Sequence, residues 1–213
     1  MTEFNFYSKQ DLTFLLGIRA STARQLAAEL HKIPDSSIYH HTHHFLQRHH
    51  FFTPEPSNDL ALWAQSGLND STLGEKLASI DIIQYHSIGD LRNELIRILD
   101  EHVAGSDNRL TAPAGLEFYF MSSQTYVFPT PFRVKTLREF ISALQHVSVS
   151  SLYHHMFDAR LRLGRGENDF STWFRDMGHG PLADEVRALD PYAYTLENLR
   201  RRMLIMLRPY DRS

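Results

Sequence analysis

The chain has 213 residues, 42% of them hydrophobic and 22% charged, with a formal net charge of -3 and no cysteine. These values are ordinary for a soluble globular protein with room for a sizeable core. The mild acidity argues against a general nucleic-acid binder, and the missing cysteine excludes disulfides, thiolate catalysis and Cys-type zinc sites.

The opening residues Met1 to Phe6 show neither a basic nor an apolar leader segment, so no signal peptide is read. No apolar run approaches the ~20 residues of a membrane span. The expectation is a soluble, cytoplasmic protein without membrane or nucleic-acid partners.

Phe4 and Phe6 alternate with polar residues, which predicts a short strand. Five helical patterns follow. The first covers Thr22 to Lys32, and the second begins after Pro34-Asp35-Ser36, where Asp and Ser can cap free amides. The third opens at Asn58-Asp59, the fourth at Asp70-Ser71 and the fifth at Ser87. In the fifth, Leu91, Leu95, Ile96 and Leu99 have helical spacing. Ala104 to Asn108 and Thr111 to Gly115 have linker composition.

The same order then returns at an offset of about 114 places, with roughly a third of the aligned positions identical. Phe4 and Phe6 fall on Phe118 and Phe120; Ser37, Tyr39, His40 and His41 fall on Ser151, Tyr153, His154 and His155; Asn58, Asp59 and Trp63 match Asn168, Asp169 and Trp173. The fold class this predicts is mainly α: two tandem similar helical units of about five helices each, with short strands at the start of each unit. Residues 1–103 form the first helical repeat, 104–116 a linker and 117–213 the second. The halves pack as one pseudo-two-fold domain or sit as separate domains. The strands pair with each other or with a second strand near Leu12 to Leu16 and Tyr126 to Phe128.

The second helix of each half carries the candidate site. On a helical wheel Ile38, Thr42, Phe45 and His49 form a core stripe, as do Leu152, Met156, Ala159 and Leu163. About a quarter turn away lie Ser37, His41, His44 and Arg48, and in the other half Ser151, His155, Asp158 and Arg162. A polar stripe on a mostly buried helix must be paired, hydrated or in use. It reads as a buried hydrogen-bond ladder, as a site for a small acidic ligand or a partner protein, or as a metal site. His40 with His44, or His154 with Asp158, has i, i+4 ligand spacing, although no His-Glu-x-x-His motif is present. The run His40, His41, His43, His44, His49, His50 resembles a metal tract, but only Tyr-His-His recurs, and the extra histidines suit a solvated edge.

Supporting residues are Tyr39, Asn58, Asp59, Tyr153, Asn168 and Asp169. Each Asn suits a helix cap and each Asp the first turn, or the Asp pairs with a stripe histidine or arginine and orients it. Arg200, Arg201 and Arg202 read as a solvated face. No Gly-rich phosphate loop, nucleophile elbow or dinucleotide fingerprint is present, and the sequence leaves any cofactor unknown.

At Ser37-Ile38-Tyr39-His40-His41-Thr42-His43, Pro54-Glu55-Pro56-Ser57-Asn58-Asp59, Ala159-Arg160-Leu161-Arg162-Leu163, Asn168-Asp169-Phe170-Ser171 and Leu189-Asp190-Pro191-Tyr192-Ala193-Tyr194 the chain resembles a prokaryotic family, domain of unknown function 5752. The likeness spans nearly the whole sequence. It implies no catalytic residue and no cofactor. In that family's pattern an aromatic often stands where His40 and His154 are, and arginine where His44 is. This weakens a His40–His44 metal pair and leaves His41 and His155 as the better candidates. The two functions in view are a non-enzymatic binding or regulatory module with a buried His/Arg seam, and a metal-dependent or acid–base hydrolase using His41, His155 and a nearby carboxylate.

Overall fold

The computed structural model describes residues 3–48, 58–105, 110–164, 166–190 and 194–210, apart from the side chains of residues 44–48, 83, 162 and 163. It is 58% helical and 19% strand. Strand β1 runs Phe4–Ala20 and strand β2 runs Phe118–Val134, each 17 residues long. They pair antiparallel into a two-stranded sheet. Among the described residues five α-helices lie between them: α1 Ala23–Leu30, α2 Asp35–Arg48, α3 Asp59–Ser66, α4 Ser71–Ala78 and α5 Ile88–Gly105. After β2 come α6 Leu137–His146, α7 Val149–Tyr153, a π-helical turn His154–Asp158, α8 Ala159–Leu163, α9 Asp169–Asp176, α10 Gly180–Arg187 and α11 Leu196–Leu207.

The expectation of two tandem helical units opened by short strands is corrected here. The alternating aromatics mark only the first residues of each strand, and hydrogen bonding carries both strands far beyond them. A strand of three or four residues holds no sheet alone, whereas two 17-residue strands share one ladder. The compact units are also not consecutive in sequence. The C-terminal unit joins Met1–Gln10 to Thr125–Ser213, and the N-terminal unit joins Asp11–Arg48 to Thr53–Gln124. Each helical cluster therefore takes its opening strand segment from the other half of the chain.

Local chemistry sets the helix starts. Both strands end before a threonine cap: Thr22 accepts the Gln25 amide at 3.1 Å, and Thr136 the Glu139 amide at 3.2 Å. Asn58 and Asn168 cap α3 and α9 by accepting the Ala61 and Ser171 amides at 2.9 and 2.8 Å. Such caps satisfy amides that the helix itself leaves open.

The cores differ in filler. In the C-terminal unit Phe4, Phe6, Phe140, Phe170, Trp173 and Phe174 are buried together. The Phe140 ring lies 5.2 Å from Phe6 and 4.9 Å from Phe174. In the N-terminal unit Phe118 and Phe120 sit with aliphatic residues, among them Leu26, Leu30, Leu60, Leu73 and Leu95.

Arg200 departs from the solvated face read for the basic run. It is buried, and its Nη1 donates to the carbonyls of Leu144 and Val147 at 2.8 and 2.7 Å. Arg201 and Arg202 stay exposed. Arg92 does the same service in the other unit, donating to Leu30 O and, at 2.6 Å, to Asp35. A guanidinium closes the open carbonyls at a helix C-terminus, where its charge also suits the dipole.

Candidate functional site: two histidine clamps

Helix α2 turns His41 into the N-terminal unit, where it is 4% exposed. Its Nδ1 lies 2.9 Å from Asp59 Oδ2, and its Nε2 accepts the Met121 backbone N–H at 2.9 Å. The C-terminal unit holds the same arrangement around His155, 2% exposed. There Nδ1 lies 2.7 Å from Asp169 Oδ2, and Nε2 accepts the Tyr7 N–H at 2.8 Å. Asp59 and Asp169 are each the first residue after an asparagine cap, so the cap fixes the carboxylate that faces the ring.

These contacts settle the tautomer. A backbone amide can only donate, so Nε2 carries no proton, and the neutral ring holds its hydrogen on Nδ1, aimed at the carboxylate. Each imidazole thus ties a helix to a strand and to the first turn of a second helix. Aromatic rings enclose it: Phe118 stands 4.6 Å from His41, and Phe4 stands 5.0 Å from His155.

The occupied nitrogens decide what the rings can do. A general base needs a free lone pair, and in both rings the Nε2 lone pair already holds an amide. Among the described residues His40, His41 and Asp59 bring ligand atoms within 4.8 Å of one another, the spacing of a cation site. A cation on His41 Nδ1 would drive the ring proton to Nε2, against the Met121 N–H. In the structure both His41 nitrogens are engaged, Nδ1 with Asp59 and Nε2 with the Met121 N–H.

The rest of the stripe divides. Ser37 and Ser151 are fully buried, and neither hydroxyl has a hydrogen-bond partner among the described residues. Asp158 forms an ion pair of 2.6 Å with the buried Lys9, whose ammonium also lies 4.8 Å from the centroid of the buried Tyr153 ring. Tyr39 stacks on His43 at 5.2 Å. The side chains of His44, Arg48 and Arg162, and the residues His49 and His50, lie outside the described set. His40 Nδ1 is 2.7 Å from Ser123 Oγ, and His154 Nδ1 is 3.7 Å from Asp158.

Sequence reasoning missed the partners on the strands. Met121 and Tyr7 contribute only backbone, which no residue type advertises. Ser8 with Ser148 and Ser122 with Ser36, at 2.9 and 2.7 Å, repeat the strand-to-helix tie beside each clamp; the matched Ser8 and Ser122 were the available signal.

A hollow of about 500 Å³ opens on the N-terminal unit, lined by residues outside the stripe, including Lys76, Asp81, Tyr85, Glu94, Arg97 and Glu101. Arg97 is clamped between Glu94 and Glu101 at 2.6 and 2.7 Å. That contact holds the Glu94 carboxyl below its usual range, while burial and the nearby Glu94 push the Tyr85 hydroxyl up. Three carboxylates against two cations do not favour an acidic ligand there. No helix among the described residues is long and apolar enough to cross a membrane.

The chain matches the model of a family of unknown function, DUF5752, over residues 1–208, and it belongs to that family. It is also similar to the solved structure titled "The structure of OrfY from Thermoproteus tenax", at 30% sequence identity and a TM-score of 0.84, with 100% of this chain and 97% of that one covered. No curated protein matches the chain.

Proposed function

We propose that this chain is a non-catalytic protein-binding module whose contact element is the outer reach of β1. One observation carries the reading. Leu12, Phe14 and Leu15 are 42%, 46% and 63% exposed, in a stretch with no charged residue between Asp11 and Arg19. Single exposed apolar residues are common, but a contiguous apolar run on one strand marks a contact surface. A strand without a second neighbour also offers unpaired backbone groups to an incoming chain.

The engaged nitrogens of His41 and His155 give the hydrolase reading no support, and the Lys9–Asp158 pair offers an acidic ligand no open cation. The test is a photo-crosslinking residue, benzoylphenylalanine, placed at Phe14 and, as a control, at the equally exposed Ile205 on α11. A discrete protein adduct at Phe14 and none at Ile205 is expected. Equal labelling at both sites, or none at Phe14, removes the reading.

A further inference from the structure

We infer that the hollow lined by the end of α4, the turn after it and α5 binds a linear aliphatic polyamine. This small-molecule site does not depend on the β1 contact element. At about 500 Å³ the hollow lies within the roughly 300–1,000 Å³ of small-molecule sites. Lys76 enters from the last turn of α4, Asp81 and Tyr85 from the segment that follows, and Glu94, Arg97 and Glu101 from α5. The buried Ile80 and Ile98 give it an apolar lining.

Charge selects a cation. Arg97 donates from Nε and Nη2 to the two oxygens of Glu94 at 2.8 and 2.6 Å, and from Nη1 to Glu101 Oε1 at 2.7 Å. Its one positive charge is therefore set against two negative ones and is not open to an anion. Asp81 brings a third carboxylate and Lys76 a second cation, which leaves one negative charge in excess. An ionised carboxylate has about four acceptor positions. Glu101 spends one oxygen on Arg97, and Asp81 Oδ2 accepts from Gln84 at 2.7 Å, so both retain capacity for an ammonium donor.

Spacing separates an organic cation from a metal ion. A metal draws its ligand atoms together around one point. Among the described residues His40, His41 and Asp59 bring ligand atoms within 4.8 Å of one another, and no three groups of this hollow do so. Glu94 and Glu101 spring from positions seven residues apart, about 10 Å along the axis of α5. Carboxylates strung along a hollow match ammonium groups strung along a methylene chain, and the methylenes suit Ile80 and Ile98. Tyr85 supplies the last contact. Burial first, and then Glu94, push its hydroxyl up, so the ring stays a neutral phenol. The face of such a ring attracts an ammonium group.

Spermidine is the ligand to titrate. Calorimetry on the full chain at low salt should show one saturable site with a Kd of about 1 mM or tighter. Asp81→Asn and Tyr85→Leu should each weaken it about three- to tenfold, and Tyr85→Phe should keep it. Arg97→Gln releases Glu94 and Glu101 from their internal cation and should tighten binding several-fold. That gain cannot come from a misfolded variant. No saturable heat up to about 10 mM spermidine overturns the inference. So does an unchanged affinity in both Asp81→Asn and Tyr85→Leu, or weaker binding in Arg97→Gln. Displacement of spermidine by an equal concentration of magnesium chloride also overturns it, because only charge would then be recognised.

Discussion

The N-terminal and C-terminal units solve one structural problem with different materials. Both use a buried histidine to bind a strand amide on one nitrogen and a cap-adjacent aspartate on the other. Around it the fillings diverge. Where the C-terminal unit packs Phe140 edge-on against Phe170 and Phe174, the N-terminal unit has Leu26, Leu60 and Ala64. Where the C-terminal unit buries Lys9 against Asp158 beside a π-helical turn, the N-terminal unit sets Ser123 against His40 on a continuous α2. Packing tolerates exchange of apolar filler as long as volume is conserved. A directed hydrogen bond to a fixed backbone amide does not, because geometry and proton placement must both be right. The clamp is the shared part for that reason.

Five substitutions test this contrast. The largest effect is expected from Phe140→Ala, at about 4 kcal/mol from the lost apolar contact and the cavity left behind. Leu26→Ala should cost about 3 kcal/mol by the same route. Denaturant unfolding gives the totals. Hydrogen exchange should show protection lost in α9 and α11 for the first variant and in α1 and α5 for the second. Loss spread evenly over both sets of helices would contradict two separately packed cores.

Next come the clamps. His155→Ala and His41→Ala each leave a strand amide and a carboxylate without their partner, so each should cost about 2–4 kcal/mol. The two values should agree more closely than the core variants do, since the clamps are alike. Faster amide exchange at Tyr7 in one variant and at Met121 in the other is the local readout. Variants that lose activity of some kind while keeping full stability would assign these rings a chemical role instead.

The smallest effect separates the caps. Glu139 accepts the Lys135 and Thr136 amides at 2.7 and 3.2 Å, and these bonds, the Lys135 amide first, hold its carboxyl below the ordinary value of 4.5. A carboxyl depressed in the folded state adds stability above its ordinary value and loses it as pH falls through the folded one. Protection at the start of α6 should therefore fade below about pH 4.5 in the unaltered chain and lose that dependence in Glu139→Gln. The corresponding cap of α1 uses Gln25, which accepts the Ser21 amide at 2.8 Å and does not titrate. Its exchange should be flat over the same range.

Much of the local structure was legible in the residues. Helical spacing, the capping asparagines and threonines, and the histidine stripe with its neighbouring aspartates follow from side-chain chemistry acting within a few turns of chain. The strands were legible only where Phe4 and Phe6, or Phe118 and Phe120, alternate with polar residues. Beyond them Leu12 to Leu15 and Tyr126 to Phe128 are exposed at successive positions, so the period-two signal that burial imposes is missing.

Tertiary structure alone decided the rest. Which strand segment joins which helices, and that His41 and His155 take their acceptor load from Met121 and Tyr7, depend on backbone groups that every residue carries alike. Composition cannot distinguish one amide from another. Only the folded ladder puts a particular N–H within reach of a particular ring, and that placement decides which nitrogen of each histidine accepts an amide and which faces an aspartate.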